Sequence, residues 1–298
     1  VGYLAVRRGL FGATELRIMG RFIIQIALPA LLFRALATRP IGEVLNAGYL
    51  GAVTLGSAAL FLAVFVLARR GRGKPAAEAA IHGVGASFPN SVYIGYPVAL
   101  GLVGPVAGVA LALNLVVENL ILLPLLLALA ESGQGHSGAA AVRRSLAGLV
   151  RNPLILAILA GFAFALTGLA LPGPLLRAVD LLAQTVAALG LVVIGGSLVG
   201  LSTRGLVHDV GLVAAAKLLI HPLAVWGALW LMPPVDRALR TAAAAIAAAP
   251  MMGMFPILAQ KYGLEGPAAA MMLGATLASF VTLPLVLGLV TAGALPWP

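Results

Sequence analysis

Long apolar stretches separated by short clusters of charge, Gly and Pro run the whole length of this 298-residue chain. A helix needs about 20 predominantly apolar residues to cross about 30 Å of hydrocarbon. By that measure full spans are predicted near residues 19 to 37, 44 to 68, 77 to 101, 105 to 130, 152 to 170, 176 to 200, 210 to 232, 241 to 260 and 267 to 292. The apolar stretch from Val1 to Val6, before Arg7 and Arg8, reads as the end of a further span whose front is missing. With that stump counted as span 1, the full ones are spans 2 to 10. The pattern predicts an all-α polytopic membrane protein, with about ten more residues expected at its natural front.

The chain also matches itself at an offset of about 160 residues. Leu123-Pro124-Leu125 in span 5 meets Leu283-Pro284-Leu285 in span 10, and the stump residues Gly2, Tyr3, Gly9 and Leu10 meet Gly161, Phe162, Gly168 and Leu169. In span 4, Pro89 and Pro97 flank a segment containing Gly95; in span 9, Pro250 and Pro256 flank one containing Gly253. Gly104-Pro105 and Gly266-Pro267 follow the two pairs. Five spans per copy is an odd number, so the second copy must lie upside down relative to the first. The expected architecture is a ten-span, five-plus-five inverted repeat: residues 1–130, a cytoplasmic linker 131–151, and residues 152–298.

A proline inside a helix removes one amide donor and clashes with the carbonyl four residues back. Two prolines six to eight residues apart therefore leave backbone groups without helical partners, which hydrocarbon tolerates only beside protein or a water-filled cavity. Spans 4 and 9 are the expected broken, crossing helices, and the segment between each proline pair is the expected binding site. Around the first, Ser87, Asn90, Ser91 and Tyr93 offer hydrogen-bonding groups. The second, with Met251 and Gly253 between its prolines, is almost wholly apolar, so a pocket polar on one side and thioether-lined on the other is expected.

Composition narrows the class. The chain is 61% hydrophobic and 9% charged, roughly a third of the charge of a soluble domain, which excludes an ordinary cytosolic enzyme. The net charge of +10 lies in short runs between apolar stretches, without the motifs or aromatic interleaving of a nucleic-acid binder. If span 1 enters the cytoplasm, thirteen Lys and Arg fall on that side and five on the other, with Lys217 inside a span. That asymmetry predicts an inner-membrane protein with both termini outside the cytoplasm. The absence of cysteine excludes a disulfide framework and a thiol nucleophile, and the four dispersed histidines argue against a metal centre. An intramembrane enzyme would need a catalytic motif, and neither HExxH nor GxSxG occurs; no P-loop is present either. A non-transporting sensor would not need two mirrored breaks. No cofactor is expected.

Ionisable groups at membrane depth are costly and usually functional. Glu118, flanked by Asn114 and Asn119 in span 5, is a candidate proton carrier or substrate contact, or else part of a structural polar knot. Lys217 in span 8 either neutralises Glu118 or an anionic substrate, or snorkels to the cytoplasmic interface.

The segment from Ala86 to Leu100, reading ASFPNSVYIGYPVAL, resembles the first crossover of the auxin efflux carrier family. Leu28 to Phe33, Arg151-Asn152-Pro153-Leu154, Ala249-Pro250, Phe255 to Ala259 and Tyr262-Gly263 extend the likeness along essentially the whole chain. The resemblance implies a secondary transporter of small organic anions, such as dicarboxylates or auxin-like carboxylates. It also implies a scaffold of spans 1, 2, 6 and 7, a transport unit of spans 3 to 5 and 8 to 10 that moves like an elevator, and a homodimer joined through the scaffold. Met251 stands where the family often has a polar residue. The related sodium-coupled bile-acid-type symporters are the nearest alternative; lacking clustered sodium ligands at the second break, this chain fits proton coupling or uniport better.

Overall fold

The computed structural model describes residues 1–39, 46–132, 138–197, 199 and 207–292, and among them the fold is all-helical. In chain order the helices are α1 (Gly2–Arg7), α2 (Thr14–Ala37), α3 (Ala47–Gly71), α4 (Ala76–Ser87), α5 (Ser91–Val103), α6 (Val106–Ala130) and α7 (Gly138–Leu149). They continue with α8 (Pro153–Thr167), α9 (Gly173–Gly196), α10 (Asp209–Leu229), α11 (Arg237–Ala248), α12 (Phe255–Gln260) and α13 (Glu265–Thr291). Six of these, α2, α3, α6, α9, α10 and α13, are long and apolar enough to cross a membrane. They correspond to predicted spans 2, 3, 5, 7, 8 and 10.

The remaining predicted spans differ for local reasons. Span 6 shortens to α8, because Gly168 takes a left-handed φ of 66° and ends the helix. Spans 4 and 9 are each two helices. Phe88 and Ala249, the residues before Pro89 and Pro250, sit in extended conformation, as the proline ring demands of its predecessor. The connection 131–151 holds helix α7; His136, one of the four histidines, and Arg204 lie outside the described residues.

Widened π turns recur at Ile23–Ala27, Ser91–Gly95, Glu118–Leu122 and Ala216–Ile220, and each ends two residues before a proline: Pro29, Pro97, Pro124 and Pro222. An extra residue in the turn moves aside the carbonyl that the ring would strike, so the helix continues past the proline.

The helices form two groups. α2 packs on α8 and α9, and α1 on α9; α3, α4, α6, α10, α11 and α13 pack among themselves, with α5 against α11, α7 against α6 and α12 against α13. The groups meet where α9 touches the Ser91–Gly95 turn and α2 touches α6. Large apolar side chains such as Leu166, Phe280 and Leu285 point outward, the surface a hydrocarbon solvent calls for. Small residues allow close backbone approach inside each group. A methyl group on Gly56 of α3 would come within 2.7 Å of the Val225 backbone of α10, whereas Gly101 faces open space. Gly56→Val should therefore cost at least about 1–3 kcal/mol through overpacking. Thermal unfolding in detergent should show a clear drop for Gly56→Val and none for Gly101→Val.

Candidate functional site

The two interruptions meet. Asn90 N–H donates to the Pro250 carbonyl at 2.7 Å, and Met252 N–H donates to the Phe88 carbonyl at 3.2 Å. Pro89 and Met251 thereby face each other in a short antiparallel bridge. Backbone groups stranded by one proline are thus satisfied by the break in the other helix.

Asn90 then starts α5. Its side-chain oxygen accepts from Tyr93 N–H at 3.1 Å, and its backbone carbonyl accepts from Gly95 N–H at 2.8 Å. The other half of its amide, Nδ2, is buried and has no partner. An amide donor without an acceptor in a buried place costs about 1–3 kcal/mol unless something arrives to take the hydrogen bond. Asn90 lines a cavity of about 450 Å³, the size of a small-ligand site, and its Nδ2 lies 3.8 Å from where a Cβ on Gly253, another lining residue, would sit.

The lining of this cavity combines polar side chains, from Asn90, Ser91, Glu118 and Asn119, with apolar ones that include Met252, Met254 and Leu258, together with Tyr93 and Gly253. The Ser91 hydroxyl donates to Glu118 Oε1 at 2.5 Å, tying α5 to α6, and Asn119 Nδ2 donates to its own helix at Leu115. Ile24 of α2, with Arg151 and Asn152 before α8, closes the cavity from the other helix group. A second cavity, about 470 Å³, borders the far part of α5 at Tyr96 and Leu100 and contains Arg34, which pairs with Asp180. It does not touch the interruptions.

Of the residues predicted from sequence, Pro89, Asn90, Tyr93, Gly253, Glu118 and Asn119 line the cavity. Pro250 and Met251 are not among its lining residues; they pair through the backbone with Asn90 and Pro89, and Met251 is fully buried. Ser87 donates to the Gly83 carbonyl, Gly95 packs against Ile246, Pro97 follows the π turn, and Pro256 opens α12. Asn114 turns away, with Nδ2 donating to Tyr49 Oη at 2.5 Å and to the Ala110 carbonyl at 3.0 Å.

Lys217 neither snorkels nor bonds to Glu118. It is fully buried, and its ammonium donates to the Ala247 and Ala249 carbonyls at 2.7 and 2.6 Å and to His221 Nδ1 at 3.0 Å. Those carbonyls end α11, where the helix dipole is negative. His221 Nδ1 also lies 3.1 Å from the Ala247 carbonyl and its Nε2 2.9 Å from Ser57 Oγ, so the ring joins the same network. Lys217 thus holds the end of a broken helix.

At the ends of α4 and α10, Glu78, His82 and Asp209 come together, their ligand-type atoms within 4.8 Å of one another. Counting histidines could not reveal this group, since two of its members are acids. Cations of the chain already serve it: Lys74 Nζ lies 2.8 Å from Glu78 and 3.0 Å from Asp209, and Arg72 pairs with Asp209 at 2.5 Å. The Glu78 and Asp209 carboxylates hold the Lys74 ammonium above the usual lysine range. Met252 and Met254 fall within the predicted second break, whereas Arg151 and Asn152 lie outside both predicted breaks. The Asn-Pro pair that opens α8 is a helix-start signal, and it would have placed Arg151 at a membrane face.

A family model described as membrane transport protein matches residues 1–287. The chain belongs to this family, the auxin efflux carriers. It is also 30% identical, over 99% of its own length and 93% of the relative's, to a protein of Rhizobium meliloti (strain 1021) named "Putative malonate transporter". The protein is a multi-pass membrane transporter and not an enzyme. Removing the Lys217 ammonium should strand the α11 carbonyls at about 1–3 kcal/mol each. Lys217→Met is expected to lower the unfolding temperature in detergent by far more than Lys261→Met, a residue on the exposed surface.

Proposed function

We propose that this protein is a secondary transporter of small organic anions, dicarboxylates foremost, and that cargo binds at the crossing of two broken helices in a ten-span inverted repeat. The observation that carries the reading is the buried, unpartnered Nδ2 donor of Asn90, a residue that lines a cavity beside the paired interruptions. A carboxylate oxygen supplies the acceptor that this donor lacks, and the methionine wall accommodates a short carbon skeleton. The malonate named for the relative is an anion of this kind.

The division into helix groups supports an elevator-type motion. The α3–α6 and α10–α13 group carries both interruptions and would move as the transport unit, while α1, α2, α8 and α9 form the scaffold. Cavities at two places along the boundary, one beside Asn90 and one beside Tyr96, are what alternating access across it requires. By the charge count both termini lie outside the cytoplasm in the inner membrane. The family likeness supports a homodimer through the scaffold.

Coupling is to protons, through Glu118. It is the carboxyl group among the cavity's lining residues, it is buried, and its Ser91 bond joins it to the helix that begins at Asn90. Sodium coupling would need oxygen ligands for the ion, and the carbonyls that end α11 are already taken by Lys217.

Uptake of labelled malonate into proteoliposomes under imposed gradients tests the reading. A proton gradient should drive uptake and a sodium gradient should not. Asn90→Asp keeps the oxygen that caps α5 but replaces the free donor with a second oxygen; it should fold normally and lose at least about tenfold in apparent affinity. Glu118→Gln should leave malonate binding in place and flatten the pH dependence of uptake. Unaltered pH dependence in that variant would remove Glu118 as the proton carrier.

A further inference from the structure

The cavity has one cation among its lining residues, Arg151. It is exposed, on the turn between α7 and α8, whereas Asn90, Ser91 and Glu118, which line the same cavity, are buried. Local sequence fixes its place. Arg151 N–H donates to the Gly148 carbonyl at 3.1 Å, the Asn152 side chain caps α8 through Leu154 N–H at 3.0 Å, and Pro153 opens the helix. The Arg151 guanidinium forms no ion pair among the described residues. The carboxylate that shares its cavity, Glu118, is engaged by Ser91 instead. A topological role needs only positive charge somewhere on this connection, and Arg143, exposed on α7, supplies that without lining the cavity.

We infer that Arg151 receives a second carboxylate of the cargo, so that the cavity prefers doubly charged organic acids over singly charged ones, and does so from one face of the membrane only. The inference rests on the transport reading above. Asn90 Nδ2 offers a single neutral donor, enough for one carboxylate, whereas the guanidinium fork offers parallel N–H groups and a full charge to another.

One-sidedness follows from where the two partners are anchored. Arg151 directly precedes Asn152, the cap of α8 in one group, where the chain arrives from α7, which packs on α6 in the group that also contains Asn90 and α5. When the groups slide past each other the two cannot stay on one cargo molecule. The second cavity begins at Tyr96 and Leu100, about 8–13 Å further along α5 at 1.5 Å per residue from Ser91. There Arg34 is paired with Asp180, and a cargo carboxylate would have to compete for it. Dianion recognition is therefore stronger on the face that carries the α7–α8 turn.

The test compares malonate with its monomethyl ester, in wild type, Arg151→Gln and Arg143→Gln, in vesicles of defined orientation. Arg151→Gln should raise the apparent KM for malonate about tenfold from the α7–α8 face, leave it unchanged from the other, and leave uptake of the monoester at wild-type level. Intact monoester uptake also shows that the variant is folded. Arg143→Gln should match wild type throughout. A wild type that transports malonate while Arg151→Gln affects neither acid, both acids equally, or both faces equally overturns the inference and leaves the transport reading standing. A wild type that neither binds nor moves any organic acid removes both.

Discussion

Two backbone hydrogen bonds hold the centre of this molecule together: Asn90 N–H to the Pro250 carbonyl and Met252 N–H to the Phe88 carbonyl. Each joins groups that a proline has taken out of a helix, at a depth where water cannot replace the lost partner. Neither break could be satisfied alone, so the two must be made together. Their pairing puts Asn90 in the lining of a cavity, where its side-chain oxygen caps α5 and its nitrogen is left without a partner.

Around that centre, the polar groups at depth serve two distinct ends. Lys217, His221 and Ser57 form a closed set that secures the end of α11, with every ammonium donor used. Asn114 and Tyr49 similarly tie α6 to α3. Ser91, Glu118 and Asn119 instead face the cavity. Both kinds draw on π turns set just before prolines, at Ser91–Gly95, Glu118–Leu122 and Ala216–Ile220. A widened turn exposes backbone and re-aims side chains, which is useful both for locking a helix end and for lining a site.

Sequence reading located the breaks because proline acts locally: Pro89 and Pro250 interrupt their helices whatever packs around them. The spans with long apolar stretches are legible for the same reason, whereas the end of span 6 is set by the left-handed Gly168, which a hydropathy stretch does not mark. Partnerships between distant segments were less accessible. Spacing put Asn114 and Glu118 on one helix face but could not reveal that Tyr49, 65 residues away, claims Asn114. Nor could it show that Lys217 would find the Ala247 and Ala249 carbonyls, since backbone acceptors leave no mark in composition. Arg151 looked like one more topological charge, and only the fold brings it to the cavity holding Asn90.

The central claim is that organic anions bind at the meeting of the two breaks. Because the chain contains no cysteine, a single one placed at Met252, on the cavity wall, gives a clean reporter. The decisive measurement is its rate of labelling by a small maleimide in membranes as malonate is titrated in, with a cysteine at Gly101 as control. Dose-dependent protection at position 252 and none at 101 is the predicted result. Labelling at 252 that malonate never slows, in a protein that still carries malonate across the membrane, would contradict the account.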